Sequence, residues 1–479
     1  MSMTIAERGT GRTIQIDSFL VEQITGGKVV GRSGQIRFKG ATYHSAMVVR
    51  DNMFVALRGK RRDGHHFLEE ATERGAAVLL VESGHPELAH IDSSVMQIQV
   101  KDTLVALGAL ARWHRDQFDI PFVAVTGSNG KTTTKEMIAA ILESKFEVFK
   151  TPGNLNSRIG LPISLFDLHG AHTIGVCEMG MSTRGEIDAL GRIIRPQYAV
   201  FTNIANAHLE TLKTIEEVAA AKFELLDHLL PDGIAFFSAD DPRLLKKARS
   251  MGPNARTYGL SGEVDLRATH VKGESTGIRF TLESGERVAL PLFGRHNASN
   301  ALAALLVART LHVDTRASIS ALATLKSAPH RSTINRFNGL TVIDDAYNAN
   351  PSATLSAVES LMEFPVAGRR VVLLGDMLEL GEQSESMHAE VGERVADLMP
   401  DLLVTVGDRA KGIGEAALAS GLTRSRHVHF DAASDCGSAA SSWCKPRDTV
   451  LVKGSRSIAL EHVVDILSTL FESNPKEVS

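Results

Sequence analysis

The residues with the plainest chemical potential are Thr126, Gly127, Ser128, Asn129, Gly130, Lys131, Thr132 and Thr133, an unbroken TGSNGKTT. Two glycines let a backbone turn its N–H groups toward a polyphosphate, and a following helix N-terminus adds the positive end of its dipole. A lysine placed next reaches the outer phosphates, and the threonine after it offers a hydroxyl to Mg²⁺. The flanking residues supply the frame. The β-branched run at 122–125 reads as a buried strand, and Met137, Ile138, Ile141 and Leu142 recur at helical spacing. Strand, glycine loop, Lys-Thr and helix together predict a nucleotide-phosphate site. One position departs from the usual P-loop: Val125 stands where its first glycine would be.

Three further groups can converge on that loop. Glu178 follows an apolar run at 172–177, and His208 follows another at 198–203. Open α/β sheets bind ligands beyond the carboxyl ends of their strands, so Lys131, Glu178 and His208 are expected on one edge. Taken singly, each is bland. A glutamate after a strand is more often a cap, a lone loop histidine has no default role, and Lys222, on a helix expected over 215–230, would ordinarily face solvent. Beside a phosphate loop, an acid at the end of a neighbouring strand becomes the expected Mg²⁺ ligand. Asn297 and Asn300 lie in GRHNASN (294–300), ahead of an alanine-leucine helix over 301–311. A helix N-cap accounts for one polar residue there, but not for two asparagines and a histidine together.

The elements that must position these groups call for more than one core. A chain of 479 residues exceeds a single domain, and three α/β domains are expected: 1–118, 119–329 and 330–479. The first mixes strands at 54–57 and 77–81 with helices over 66–74 and 103–117. The second is a parallel-sheet domain built on the phosphate loop. The third alternates strands (370–374, 402–406, 428–430, 449–452) with helices (386–398, 410–419, 458–471), the pattern of a parallel, Rossmann-like sheet. That domain has no G-x-G-x-x-G, so no dinucleotide is implied. The loop TPGNLNSRIGLP (151–162) is dense in turn residues. Polar clusters also close the expected strands at 344–351 and 453–457.

Composition excludes several classes. Net charge is −4 with no basic tail, which disfavours nucleic acid as a partner. Cys177, Cys436 and Cys444 fit neither a disulfide framework nor zinc spacing, so a reducing cytoplasm is expected. No apolar run reaches the roughly 18 residues of a membrane span. No interface signal is legible, and a monomer is expected.

Together these motifs resemble the Mur ligases, the ATP-dependent amide ligases of peptidoglycan assembly. The family-wide signals are TGSNGKTT, Glu178, Asn203 with His208, Lys222 and GRHNASN. TPGNLNSRIGLP, DDAYNANP (344–351), LLGDMLELGE (373–382) and VKGSRS (452–457) are most similar to the branch that joins D-alanyl-D-alanine to UDP-N-acetylmuramoyl-tripeptide. The resemblance implies a set of roles. Residues 126–133 hold ATP and one Mg²⁺, and Glu178 and His208 serve the metal ions, two in number. Lys222 stands where the family has a carbamylated lysine. Asn297, Asn300, Arg331 and Asp345 contact the nucleotide. Asn154, Asn156, Ser45, Asn348, Asn350, Lys453 and Arg456 are substrate-binding candidates, and Asp376 and Glu379 are candidates to orient an ammonium. A hinge is expected near 326–332.

One stretch departs from the family. Where it carries a Ser/Thr-Asp-Ser/Thr-Arg-type segment, this chain reads Tyr43-His44-Ser45-Ala46-Met47, without the Asp and Arg. Arg50, Arg58, Lys60 or Arg61 could replace the missing cation. The alternative is a paralogue with the same chemistry on another carboxylate or amine. A P-loop switch protein would not need Glu178, His208 and Lys222 together.

Overall fold

Three larger sheets, beside a two-stranded antiparallel one (Ile14–Asp17 with Gln35–Phe38), organise the chain in the computed structural model, which describes residues 13–31, 34–59, 62–92 and 95–472. The first has five strands in the order Lys28–Val30, Met96–Val100, Val78–Glu82, Met53–Val55 and Ala41–Thr42. All neighbours are parallel except the outer pair, Lys28–Val30 with Met96–Val100. The expected strands at 54–57 and 77–81 appear shifted by about a residue. The expected helix over 66–74 is a 3₁₀ turn, Gly64–Phe67, running into Leu68–Glu73. Helix Thr103–Arg115 leaves this unit, capped by the Asp102 carboxylate, which accepts the N–H groups of Leu104 and Val105. It packs on helices Gly160–Leu165 and Glu186–Ile194 of the next unit and so joins the two.

The second sheet has nine strands. Val148–Lys150, Ile174–Glu178, Phe122–Thr126, Tyr198–Phe201, Ile234–Ser238 and Ala255–Gly259 run parallel and adjacent in that order. The buried parallel strands are apolar runs because helices cover both faces. Leu266–Glu274, Gly277–Leu282 and Arg287–Leu290 extend the sheet, the last two antiparallel to their neighbours. These three escaped the sequence reading. Their side chains alternate between core and solvent, and the charged outer positions break up the apolar signal. The helix expected over 215–230 ends at Phe223 and tightens into a 3₁₀ turn, Glu224–His228. There the Glu224 carboxylate accepts the backbone N–H groups of Gly185 and Asp188, and Pro231 follows.

The third sheet has six strands, in the order Thr333–Phe337, Leu340–Asp344, Thr449–Lys453, Arg370–Gly375, Leu402–Val406 and His427–Phe430. All neighbours are parallel except the opening hairpin, which the sequence reading did not register. The four expected strands are present. Helix Ala410–Ala419 matches its expectation, and the last helix begins at Glu461 rather than 458.

Candidate active site

The central sheet sets the register of the site. Strand Phe122–Thr126 lies between Ile174–Glu178 and Tyr198–Phe201, with Val125 opposite Glu178 and Thr126 opposite Phe201. The phosphate loop, Glu178 and the segment from Thr202 to His208 therefore all leave the sheet at one edge. Helix Lys131–Leu142 starts directly after Gly130, as the motif requires.

The loop is clamped by its neighbour. Ser128 N donates to Asn203 O at 2.9 Å, Asn129 N to Asn203 Oδ1 at 2.9 Å, and Thr202 Oγ1 to Asn129 O at 2.6 Å. Ser128 Oγ donates to Ala205 O and accepts from Ala205 N, and Thr126 Oγ1 donates to Met179 O. Both glycines are forced by this crowding. Gly127 has φ +148°, and a Cβ there would lie 1.9 Å from Thr202 Oγ1. Gly130 has φ +78°, and its Cβ would lie 2.4 Å from Asn300 Oδ1. Lys131 Nζ donates to Gly127 O (2.9 Å) and Ser128 O (3.1 Å), at the mouth of the loop. Thr133, on the first turn of the helix, is half-buried.

Glu178 is buried and oriented. Its N–H donates to Thr151 Oγ1, and Asn156 Nδ2 donates to Oε1 at 2.6 Å. The other oxygen, Oε2, is buried with no partner, and so is Thr132 Oγ1. A buried polar atom left unpaired costs about 1–3 kcal/mol. A hydroxyl and a carboxylate oxygen are the hard donors that Mg²⁺ takes, so the residues present fit that ion.

Lys222 is 1% exposed and makes no ion pair among the described residues. Burial, and next the neighbouring Lys131 cation, hold its amine well below the ordinary lysine range. Lys131 is itself pushed down by burial, partly offset by Glu178 and reinforced by Arg331. These groups thus feel one another. A neutral buried amine is also the form that captures CO₂, so Lys222 has the chemistry for a carbamate.

His208, in the left-handed region at φ +57°, is held from the third sheet unit: its Nδ1 meets Glu379 Oε2 at 2.5 Å. Glu379 is thereby engaged with a site residue. Asp376 Oδ1 accepts the N–H groups of Arg409 and Ala410 at the start of a helix, so its carboxylate is used as a cap.

The remaining candidates divide. Asn297 is buried, donating to Phe293 O and accepting from Asn300, and Asn300 abuts Gly130. Arg331 lies over the Tyr347 ring at 3.8 Å, with Arg456 over the same ring at 5.3 Å. Asp345 and Lys453 pair at 2.6 Å, Lys453 also reaching Asn348 O and Asp345 Oδ1 accepting Ser332 N. Asn350 caps helix Pro351–Glu363 and donates to Asn129 Oδ1 at 2.6 Å, joining the third sheet unit to the phosphate loop. Asn154 is exposed at the tip of its loop. Ser45 lies far along the chain in a 3₁₀ turn, hydrogen-bonded to the Glu70 carboxylate. Arg50 is exposed, Arg58 pairs with Glu82 at 2.7 Å, and Lys60 and Arg61 fall outside the described residues.

Models of three Mur ligase domains match this chain: the Mur ligase family catalytic domain at residues 37–115, the Mur ligase middle domain at 125–308, and the Mur ligase glutamate ligase domain at 330–456. UDP-N-acetylmuramoyl-tripeptide–D-alanyl-D-alanine ligase of Bacillus subtilis is 34% identical, over 93% of this chain and 96% of its own length. The Escherichia coli protein of the same name is 38% identical, over 87% and 90%. The chain belongs to the Mur ligase family. Its fold agrees with solved members. MurF from Acinetobacter baumannii superposes with a TM-score of 0.84 at 29% identity, over 95% of this chain and 99% of that one. MurF ligase from Thermotoga maritima, in complex with ADP, superposes at 0.79 with 32% identity, over 91% and 98%.

Two features of this Mur ligase escaped the sequence reading. Lys135 is fully buried, donating to Thr151 O and Gly153 O at 2.8 Å, which ties the helix after the phosphate loop to the segment that holds Glu178. Its place on the same helical face as the buried Ile138 and Leu142 was the available signal. The second is a cluster of Asp63, His65 and His85, whose ligand atoms lie within 4.8 Å of one another. It is already satisfied: His65 Nδ1 meets Asp63 at 2.6 Å, and His65 Nε2 accepts Glu82 N. Neither nitrogen of His65 is left for a metal.

Proposed function

We propose that this Mur ligase joins D-alanyl-D-alanine to the terminal carboxylate of UDP-N-acetylmuramoyl-tripeptide, converting ATP to ADP and phosphate in peptidoglycan precursor synthesis. The reading rests on the names of relatives aligned over nearly the whole chain. The observation that carries the chemistry is the meeting of Lys131, Thr132, Glu178 and Lys222 beside one glycine loop.

The mechanism follows from charge. A carboxylate is a poor electrophile. It attacks the γ-phosphorus of ATP, ADP leaves, and the acyl phosphate so formed is attacked by the amine of the dipeptide. The tetrahedral intermediate collapses and phosphate departs. Lys131, released from Gly127 O and Ser128 O by the incoming phosphates, offsets their charge. The loop N–H groups and the helix N-terminus cradle them. Thr132 and Glu178 would hold Mg²⁺, with His208 and a carbamylated Lys222 serving a second ion; bound there, the metal neutralises charge on the transferring phosphoryl group. Asn300, Arg331 and Asp345 would line the nucleotide. Asn154, Asn156, Ser45, Asn348, Asn350, Lys453 and Arg456 are assigned to the substrates, subject to the contacts that several already make within the chain. Domains at 1–118, 119–329 and 330–479 would bring acceptor, ATP and amine together. No helix among the described residues is long and apolar enough to cross a membrane. A cytoplasmic monomer suits these small-molecule substrates.

A second reading is favoured by Tyr43–Met47, where Asp and Arg are missing: the same acyl-phosphate chemistry on a different carboxylate or amine. Phosphate release should be measured with Mg²⁺, UDP-N-acetylmuramoyl-tripeptide and D-alanyl-D-alanine, omitting each in turn. Release that needs both substrates, with the pentapeptide product seen by mass, supports the first reading. ATP binding without release moves the assignment to the second.

A further inference from the structure

We propose that Glu379 is a positioning residue: it fixes the ligand-binding tautomer of His208, so that the phosphate site is completed only when the third sheet unit is docked on the central one. The inference rests on His208 being part of the reaction site, as argued above.

The geometry is specific. Glu379 Oε2 lies 2.5 Å from His208 Nδ1, across 171 residues of chain. A carboxylate only accepts, so Nδ1 carries the proton in this contact, and the tautomer it selects has its lone pair on Nε2. That is how histidine ligands are commonly oriented, by an acceptor on the ring nitrogen that does not bind. The backbone is also committed to the contact. Glu210 N donates to Glu379 O at 3.1 Å, and Gln383 Nε2 donates to Lys213 O at 3.3 Å. Both residues of the pair sit in the left-handed region, His208 at φ +57° and Glu379 at φ +62°. For residues other than glycine such conformations are strained.

Stability does not explain that strain. The Glu379 side chain is 54% exposed and that of His208 19% exposed. An ion pair at such a rim adds little to stability. Orientation of the imidazole does explain it. The same contact makes His208 report on docking, because its orienting partner belongs to the other unit.

The test uses the full-length protein with ADP, and Mn²⁺ as the metal probe, read by the spin resonance of free Mn²⁺. Glu379→Ala should weaken Mn²⁺ binding by about 10- to 100-fold, the usual effect of losing such a partner. Glu379→Gln should recover most of it, because an amide oxygen still accepts from Nδ1. In a His208→Ala background, Glu379→Ala should change nothing further. Additive losses in that double variant would overturn the proposal. So would intact Mn²⁺ binding in Glu379→Ala with only the KM for the dipeptide raised, which would return Glu379 to the amine site. Because Mn²⁺ binding needs no turnover, a mistaken substrate assignment leaves this result unaffected.

Discussion

Asn156 Nδ2 donates to Glu178 Oε1 across 2.6 Å, while the other oxygen of that carboxylate lies buried with no partner. One oxygen is fixed by the protein and its twin is left for a ligand. Asn156→Ala should therefore raise the Mg²⁺ concentration needed for half-maximal turnover by about tenfold or more, with a smaller effect on the KM for the UDP-linked acceptor. A metal titration of turnover decides it. A change confined to acceptor KM would make Asn156 a substrate contact instead.

Gly127 and Gly130 are irreplaceable for different neighbours. A methyl at Gly127 would collide with Thr202 Oγ1, and one at Gly130 with Asn300 Oδ1. Gly127→Ala should weaken ADP binding by more than tenfold in calorimetry. The clash is local to the loop, so the rest of the fold should keep its circular dichroism. An alanine variant that binds ADP normally would mean the loop has another resting shape.

Lys222 gives a prediction with opposite signs for activity and stability. Its folded pKa is depressed by burial and then by Lys131, so between that value and the ordinary lysine pKa the unfolded chain holds the extra proton. Stability therefore rises with pH through this window and falls as pH drops through it. Lys222→Met should abolish turnover, raise the melting temperature near neutral pH and flatten its pH dependence. ¹³C-bicarbonate should label the wild type and not the variant. An active variant would remove Lys222 from the site.

Closure of the third sheet unit should exclude water from the acyl phosphate. His330 and Ser332 both hold positive φ, +58° and +53°, in the segment where the hinge is expected. Small-angle scattering with an ATP analogue and acceptor should show a more compact particle than the free protein. Superimposable profiles would contradict the hinge.

The phosphate loop, the three central strands around it and four parallel strands of the third sheet were legible because their signals are local: consecutive Gly-Lys-Thr, unbroken apolar strands, helical spacing; Val148–Lys150, Ile234–Ser238 and Ala255–Gly259 were missed. Glu178 was legible as an element end. What its neighbours do was not. Asn156, Lys453 and Asn350 were expected at the substrates and Asp345 at the nucleotide, yet each meets a protein partner, and those partners come from distant sequence. Lys135 was missed: its helical face signals burial, but nothing in the local sequence reveals the carbonyls of Thr151 and Gly153 that it meets. The antiparallel strands from Leu266 to Leu290 were hidden by their charged outer faces.

The central claim is that the acceptor carboxylate is phosphorylated before the amine arrives. If so, one carboxylate oxygen must leave with the phosphate. Turnover of acceptor labelled with ¹⁸O in its terminal carboxylate, in the presence of ATP and D-alanyl-D-alanine, should give phosphate carrying one ¹⁸O per amide formed, read by mass. Amide product accompanied by unlabelled phosphate would contradict the account.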